Sequence, residues 1–199
     1  MKIRYFMTIP LIALVMTFIL DAAIIDKKRE MNILLLPSLP KPIAKEYVLI
    51  TSAGQGTDAY IITDIANKLM IHNYFMPQAK EEDLEGAQTL VFVVGYSAIG
   101  EKLHGISHDD EKQRIIGLLK KAEKKNMVVI TIYIGGKQRH EKRTEDLLSL
   151  IIPKTDYLIG TKEANKDNFL SELTKNSRIP ITLVNEINDL SEPFSSAFR

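Results

Sequence analysis

The stretch ITSAGQGTDAYII, residues 50–62, is the most informative part of the sequence. An apolar run ends at Ser52, two glycines follow, and an apolar pattern of helical spacing begins at Asp58. A strand, a glycine turn and a helix in this order are typical of a parallel α/β sheet. We expect the strand over 47–51 and the helix over 58–71. The residues expected on the buried face of this helix are Tyr60, Ile61, Ile65 and Leu69.

Strands and helices alternate along the rest of the chain. Short apolar runs predict strands at 74–76, 89–94, 127–134, 157–159 and 181–184, and helical spacing predicts helices at 109–125, 145–152, 167–176 and, as a turn or helix, 188–194. Such alternation indicates βαβ units and helices on both faces of a mainly parallel sheet. We therefore predict a three-layer, Rossmann-like or flavodoxin-like α/β domain with about five to six strands, preceded by an N-terminal apolar helix.

A short basic start and an apolar stretch over residues 5–25 precede the domain. The stretch is long enough to span a bilayer, and small residues are poorly placed for signal cleavage. We expect residues 1–25 to be an uncleaved signal-anchor, with a cleaved signal peptide as the alternative. Basic residues at 27–29 oppose an inside N-terminus. A short N-terminal apolar segment usually directs export, so we expect the domain on the extracytoplasmic side of the cell membrane, or secreted if cleaved.

Residues 26–45 are predicted to form a proline-containing tether, and residues 46–199 the α/β domain. The tether contains LLLPSLPKP at 34–42, whose three prolines disfavour a helix or a central strand. We expect this segment to be extended and to pack on the domain.

Composition excludes several classes of function. The chain has no cysteine, which removes disulfides, thiol catalysis and cysteine metal sites. Its formal net charge is +1, which does not favour binding to nucleic acid. Acidic residues do not cluster at any predicted strand end, which argues against a Mg²⁺-dependent phosphatase and a phosphoacceptor site. We predict no cofactor and no metal site.

Ligands of parallel α/β sheets bind beyond the carboxyl ends of the strands. The segments there are SAGQGTD at 52–58, GYSAIG at 95–100, GGKQRH at 135–140 and GTKEANKD at 160–167. In the predicted site, the glycine loop supplies hydrogen-bond donors, a tyrosine and a serine form a second wall, and basic residues supply charge. The predicted ligand-binding residues are Ser52, Gly54, Gln55, Gly56, Tyr96, Ser97, Gly135, Gly136, Lys137, Arg139 and Lys162.

Three motif-like patterns at these ends are incomplete. Residues 54–59 fit the dinucleotide pattern G-x-G-x-x-A, but no acidic residue ends the second predicted strand. The glycines are therefore either a tight turn or a loop for a polar or anionic ligand. In GYSAIG the second glycine comes one residue too late for a nucleophile elbow, so no catalytic serine is predicted. His104 and His108 are separated by Gly105, and Ser107 is predicted to cap the next helix.

The chain resembles an uncharacterised bacterial family, domain of unknown function 6305, from about Tyr47 to Pro193. The resemblance is carried by ITSAGQG, TLVFVVGYSAIG, IYIGG, DYLIGTKEANKD and IPITLVNEINDL. It implies an export segment followed by a single α/β domain. The family has no established activity, so the resemblance assigns no catalytic residue.

The sequence therefore predicts a membrane-tethered extracytoplasmic domain that binds a small polar or anionic ligand. Residues 5–25 are the expected contact with the membrane. Two alternatives stay open: an envelope hydrolase or transferase that uses the same crevice, and a protein-interaction module of an envelope complex. Since catalysis needs a nucleophile or base with a partner, and no pairing is recognisable, the sequence favours binding over catalysis.

Overall fold

The computed structural model describes residues 33–136 and 141–199. The predicted apolar helix over residues 5–25 and the predicted site residues Lys137 and Arg139 lie outside the described residues. In the described part of the chain, no helix is long and apolar enough to cross a bilayer.

Seven strands form one parallel sheet in the described part of the chain. Their order across the sheet is β1-β7-β6-β5-β4-β2-β3, and each neighbouring pair is parallel. The strands are β1 (Leu34–Leu35), β2 (Val48–Ala53), β3 (Asn73–Phe75), β4 (Thr89–Val94), β5 (Val128–Tyr133), β6 (Tyr157–Thr161) and β7 (Pro180–Val184).

Helices connect the strands and confirm the predicted α/β class. The α-helices of the described part are α1 (Asp58–Lys68), α2 (Ala98–His104), α3 (His108–Lys124), α4 (Lys142–Ile151), α5 (Phe169–Thr174) and α6 (Ser191–Ser196). Short 3₁₀ turns lie at Glu81–Leu84, Ile152–Lys154, Glu163–Asn165 and Ile187–Leu190. Helix α2 was not predicted from the sequence. Ser107 caps α3 as predicted, with its hydroxyl accepting a hydrogen bond from the Asp110 N–H at 3.1 Å.

The sheet separates two apolar cores. On one face, side chains such as Leu49 and Phe92 pack with α3, α4 and α5. On the other face, side chains such as Ile50 and Val91 pack with α1 and α6. Because successive strand residues point to opposite faces and both faces are covered, the central strands are continuously apolar.

The predicted count of five to six strands is wrong by one strand, which comes from the tether. Leu34–Leu35 pairs with β7 at the sheet edge, and the Leu36 N–H donates to the Ile181 carbonyl at 2.8 Å. Further along, the N–H groups of Ile43 and Ala44 both donate to the Ala197 carbonyl at 2.9 and 2.8 Å. The prolines limit the strand to two residues, and an edge position tolerates them.

The predicted buried face of α1 is also partly wrong. Tyr60 is 59% exposed and Ile61 is 37% exposed, while Ala59 and Ile62 are buried against the sheet. The apolar residues of this segment are compatible with two buried faces, one that includes Tyr60 and Ile61 and one that includes Ala59 and Ile62. Small side chains at Ala59 and Ala66 let the helix lie close to the sheet, which turns the bulky Tyr60 outward.

The strand order creates a topological switch point between β2 and β4. From β2 the chain passes through α1 to β3 on one side, and it then crosses back to β4 on the other side. The connections leave these two adjacent strands in opposite directions, which opens a crevice at their carboxyl ends. The glycine loop after β2 lies at this crevice.

Helix α6 should stabilise the domain, because it packs on the sheet and the tether hydrogen-bonds to the residue after it. Phe194 is 1% exposed within the core beneath α6, so Phe194→Ala should lower the free energy of unfolding by about 3–5 kcal/mol. Ile187→Ala, at a 39% exposed position, is the control and should cost about 0.5 kcal/mol or less. Urea unfolding followed by circular dichroism measures both, and equal losses would contradict this assignment of the core.

Candidate functional site

Backbone hydrogen bonds join the ends of β2 and β4. The Gly95 N–H donates to the Ala53 carbonyl at 2.8 Å, and the Ser97 N–H donates to the Gly54 carbonyl at 2.7 Å. Gln55 and Tyr96 form an isolated antiparallel bridge just beyond. The loops after β2 and β4 are therefore joined by backbone hydrogen bonds along one edge of the crevice.

Close approach of the two loops explains the glycines. A Cβ atom on Gly54 would lie 2.7 Å from the Gly95 carbonyl oxygen, and one on Gly56 would lie 2.6 Å from the same atom. Gly54 also has a φ of +99°, which favours glycine. Of the two interpretations of SAGQG, the tight turn accounts for both glycines without any ligand.

A buried glutamate on α3 holds the glycine loop. Glu111 is fully buried, and its carboxylate accepts the Gly54 N–H at 2.8 Å and the Gln55 side-chain amide at 3.0 Å. Arg114, one turn later, donates to both carboxylate oxygens at 2.7 and 2.8 Å. Every oxygen of this buried carboxylate is thus hydrogen-bonded, as burial of a charge requires.

Arg114 extends the same network to the end of β2. Its guanidinium donates to the Ser52 carbonyl at 2.5 Å and to the Ala79 carbonyl at 2.9 Å, and it approaches the Thr51 hydroxyl at 3.3 Å. The pair of Glu111 and Arg114 therefore ties together the end of β2, the glycine loop and the segment after β3.

Glu111 was not among the predicted site residues, although its position in the sequence indicates that it is buried. Glu111 lies four residues before Ile115 and seven before Leu118, so it shares the apolar face of α3. A carboxylate within an apolar stripe needs a buried partner, and Arg114 at i+3 is suitably spaced.

A cavity of about 260 Å³ opens between the glycine loop and α2, and we name it the switch-point cavity. Of the predicted residues, Ser52, Gln55, Gly56 and Ser97 line it. Its full lining is Ser52, Gln55, Gly56, Thr57, Tyr60, Pro77, Ser97, Ile99, Gly100, Leu103 and His104. Hydroxyl, amide and imidazole groups thus face the same space as four larger apolar or aromatic side chains.

Protein acceptors already use most of the predicted donors. The Ser52 hydroxyl donates to the Gly56 carbonyl at 2.9 Å, and the Gly54 N–H is held by Glu111. The Ser97 hydroxyl accepts the Gly100 N–H at 3.0 Å and so caps α2. The Gln55 side-chain carbonyl oxygen differs, because it is buried with no hydrogen-bond partner among the described residues.

The remaining predicted residues of the described chain lie apart from this cavity. Gly135 packs beside the Tyr133 ring, and Gly136 packs beside the Glu163 side chain. Lys162 follows β6, three strand spacings from β2 and thus about 14 Å away across the sheet. It lines a second cavity of about 480 Å³, together with Leu35, Leu36, Pro37, Asn165 and Leu183.

Tyr96 belongs to a polar cluster behind α2. The Arg143 guanidinium lies 4.8 Å from the centre of the Tyr96 ring and also contacts the Tyr96 hydroxyl. The same guanidinium donates to Glu101 at 3.2 Å, and Glu101 is only 7% exposed. Burial, with a further contribution from the Glu101 carboxylate, raises the pKa of Tyr96, against the opposing effect of Arg143.

His108 completes this cluster at the start of α3. Its Nδ1 lies 3.4 Å from Glu101 Oε1, and its Nε2 lies 3.8 Å from Asp146 Oδ2. The imidazole also meets the Tyr96 ring edge-on, with 5.9 Å between ring centres. Across residues 33–136 and 141–199, no group of three or more acidic or histidine side chains is arranged to hold a metal ion.

The chain belongs to the family described as Domain of unknown function (DUF6305), which it matches over residues 45–198. No curated protein matches the sequence significantly. Among solved structures, one mutant of the esterase AlinE4 aligns at 9% identity and a TM-score of 0.33, covering 63% of this chain and 79% of that one. A second AlinE4 mutant aligns at 8% identity and 0.29, covering 70% and 75%. Nothing about this chain follows from resemblances this distant.

Loss of Glu111 should release the glycine loop. Glu111→Ala leaves Arg114 and the Gly54 N–H without their buried acceptor, so unfolding should become easier by about 3–5 kcal/mol. Hydrogen exchange of the peptide around residues 50–58, followed by mass spectrometry, should accelerate. Glu123→Ala on the same helix removes only an exposed contact to Lys154 and should cost about 1 kcal/mol or less. Unchanged exchange around 50–58 would contradict the proposed role of Glu111.

The titration of Tyr96 tests the polar cluster. The ultraviolet titration of the native chain minus that of Tyr96→Phe should show a phenol that ionises above the ordinary tyrosine pKa of about 10. Glu101→Gln removes a negative charge that disfavours the phenolate, so it should move the pKa of Tyr96 downward. A pKa that stays in place or rises in Glu101→Gln would show that Glu101 does not act on this phenol.

Proposed function

We propose that this domain is a binding module that holds a small molecule in the switch-point cavity. The observation that carries the proposal is the position of the cavity, at the carboxyl ends of two adjacent strands whose connections diverge. In open α/β sheets this is where ligands bind, because loops on either side of the crevice form its walls. Here those walls are the glycine loop and α2.

The lining of the cavity supports a ligand with both polar and apolar parts. Pockets for small ligands are lined mainly by apolar side chains with a few placed polar groups, and this cavity has that composition. The polar groups on its walls include the Gln55 amide, the Ser97 hydroxyl and the His104 imidazole. We therefore propose a polar ligand that is recognised through hydrogen bonds.

The hydroxyl groups near the cavity favour binding over catalysis. Nucleophilic catalysis needs a hydroxyl that hydrogen-bonds to a base. The Ser97 hydroxyl instead caps α2, and the Ser52 hydroxyl donates to a backbone carbonyl. Both serines therefore have structural roles that position the walls of the cavity.

We further propose that residues 5–25 tether this binding module to the cell membrane, with the cavity on the extracytoplasmic side. The length and apolar character of that stretch support the tether. A cleaved signal peptide would give the same domain as a secreted protein. In either form, the ligand would be met outside the cytoplasm.

A single tryptophan at the cavity mouth tests the proposed function, because the native chain has no tryptophan. Tyr60→Trp places the fluorophore on the lining, and Tyr74→Trp places it on β3 as the control. Titration with neutral fragments that carry hydroxyl or amide groups should give saturable changes in Tyr60→Trp alone. Adding Thr57→Phe should occlude the mouth and abolish the response, whereas adding Lys68→Phe on the same helix should preserve it. Responses that survive Thr57→Phe would refute binding in this cavity.

A further inference from the structure

Helix α2 has its polar and apolar faces reversed relative to an ordinary surface helix. Glu101 is 7% exposed, whereas Ile99 is 73% exposed and Leu103 is 77% exposed. Surface helices normally bury their apolar residues and expose their charges. Ile99 and Leu103 are four residues apart and therefore lie side by side on the outer face.

The polar cluster behind α2 maintains this reversed orientation. Arg143 donates to Glu101, and His108 lies 3.4 Å from the other oxygen of the same carboxylate. The Ser97 cap and Gly100 also hold α2 against the glycine loop, where a Cβ on Gly100 would lie 2.4 Å from the backbone carbonyl oxygen of Gln55. The contacts of Glu101, Ser97 and Gly100 therefore set the rotation of α2, and this rotation leaves Ile99 and Leu103 exposed.

The exposed face of α2 continues into the switch-point cavity. Ile99 and Leu103 both line the cavity, and Tyr60, which is 59% exposed, lines it from α1. These three side chains form what we name the apolar rim. Adjacent exposed apolar groups at the mouth of a cavity mark a place where an apolar part of a ligand is removed from water.

Gln55, one of the residues that line the cavity, carries a polar atom without a partner among the described residues. Gln55 is 5% exposed, and its amide N–H₂ is held by Glu111 while its carbonyl oxygen has no hydrogen-bond partner among the described residues. A buried carbonyl without a donor is costly, and a hydroxyl or amide N–H of a ligand would supply the missing donor.

We infer that the ligand of this site is an amphipathic small molecule, with an uncharged hydroxyl- or amide-bearing head in the switch-point cavity and a hydrocarbon chain along the apolar rim. This inference rests on the proposed function and specifies the class of ligand. The cavity volume of about 260 Å³ is slightly below the usual range for small-ligand pockets, so the cavity takes only a head group and the first carbons of a chain. The rest of the chain lies on Ile99 and Leu103.

Photolabelling of the full chain in amphipol tests this ligand class. The probe is an n-octyl glucoside that carries a diazirine in its alkyl chain, used below its critical micelle concentration, and labelled peptides are mapped by mass spectrometry. We expect saturable labelling of the peptide that contains α2. Unlabelled n-octyl glucoside should compete, whereas octanoate and glucose should compete at least about tenfold more weakly, because each lacks one of the two required parts.

Substitutions at two exposed positions of the apolar rim test ligand binding without disturbing the fold. The double variant Ile99→Gln and Leu103→Gln keeps good helix formers at exposed positions and should reduce labelling of α2 by at least about tenfold. Met70→Gln, at an apolar position that is 80% exposed and outside the cavity lining, is the matched control and should label normally.

The outcomes distinguish this inference from the proposed function. Normal labelling in the double variant, or equal competition by octanoate, would overturn the amphipathic ligand. If neutral fragments still quench Tyr60→Trp saturably in that case, the binding function stands and only the ligand class is wrong. Labelling of α2 that no competitor reduces, together with a silent Tyr60→Trp, would overturn both.

Discussion

The buried ion pair of Glu111 and Arg114 is the interaction on which the candidate site depends. A fully buried carboxylate accepts hydrogen bonds from the glycine loop, and its arginine partner reaches the carbonyls at the end of β2 and after β3. Replacing such a pair with apolar residues often costs little stability, but an apolar pair could not hold backbone N–H and carbonyl groups of three segments at once. The pair therefore contributes geometry more than net stability.

A second ionic cluster has a similar role on the other wall of the cavity. Glu101 points away from the cavity toward Arg143 and His108, and this choice of face leaves Ile99 and Leu103 exposed. In both walls, an ion pair with a buried glutamate lies behind the cavity and fixes the residues that line it. Among the described lining residues there is no lysine, arginine or carboxylate side chain.

Much of the fold, but less of the site, followed from the sequence. The continuous apolar run TLVFVV at 89–94 predicted a strand with the observed bounds, and the other predicted strands differ from the structure by one or two residues at an end. Helix α2 was missed because its seven residues are too few to show a period, and its apolar residues lie on the exposed side. The predicted site residues came from the ends of four strands, and of those that the structure describes, Ser52, Gln55, Gly56 and Ser97 line the switch-point cavity. Lys162 lies at the same edge of the sheet but several strands away, since chain order does not give distance across a sheet.

The SAGQG segment combines a steric role with a place in the cavity wall. Steric contact with the Gly95 carbonyl requires the glycines, so they are not themselves a signature for phosphate. The same contact, however, brings the loop and α2 close enough to share a cavity, with Gln55 between them. The glycines therefore build the turn, whereas other side chains, on this segment and on α2, would meet a ligand. Function at this site would depend on the side chains at 55, 99 and 103, while the glycines and Glu111 keep those side chains in position.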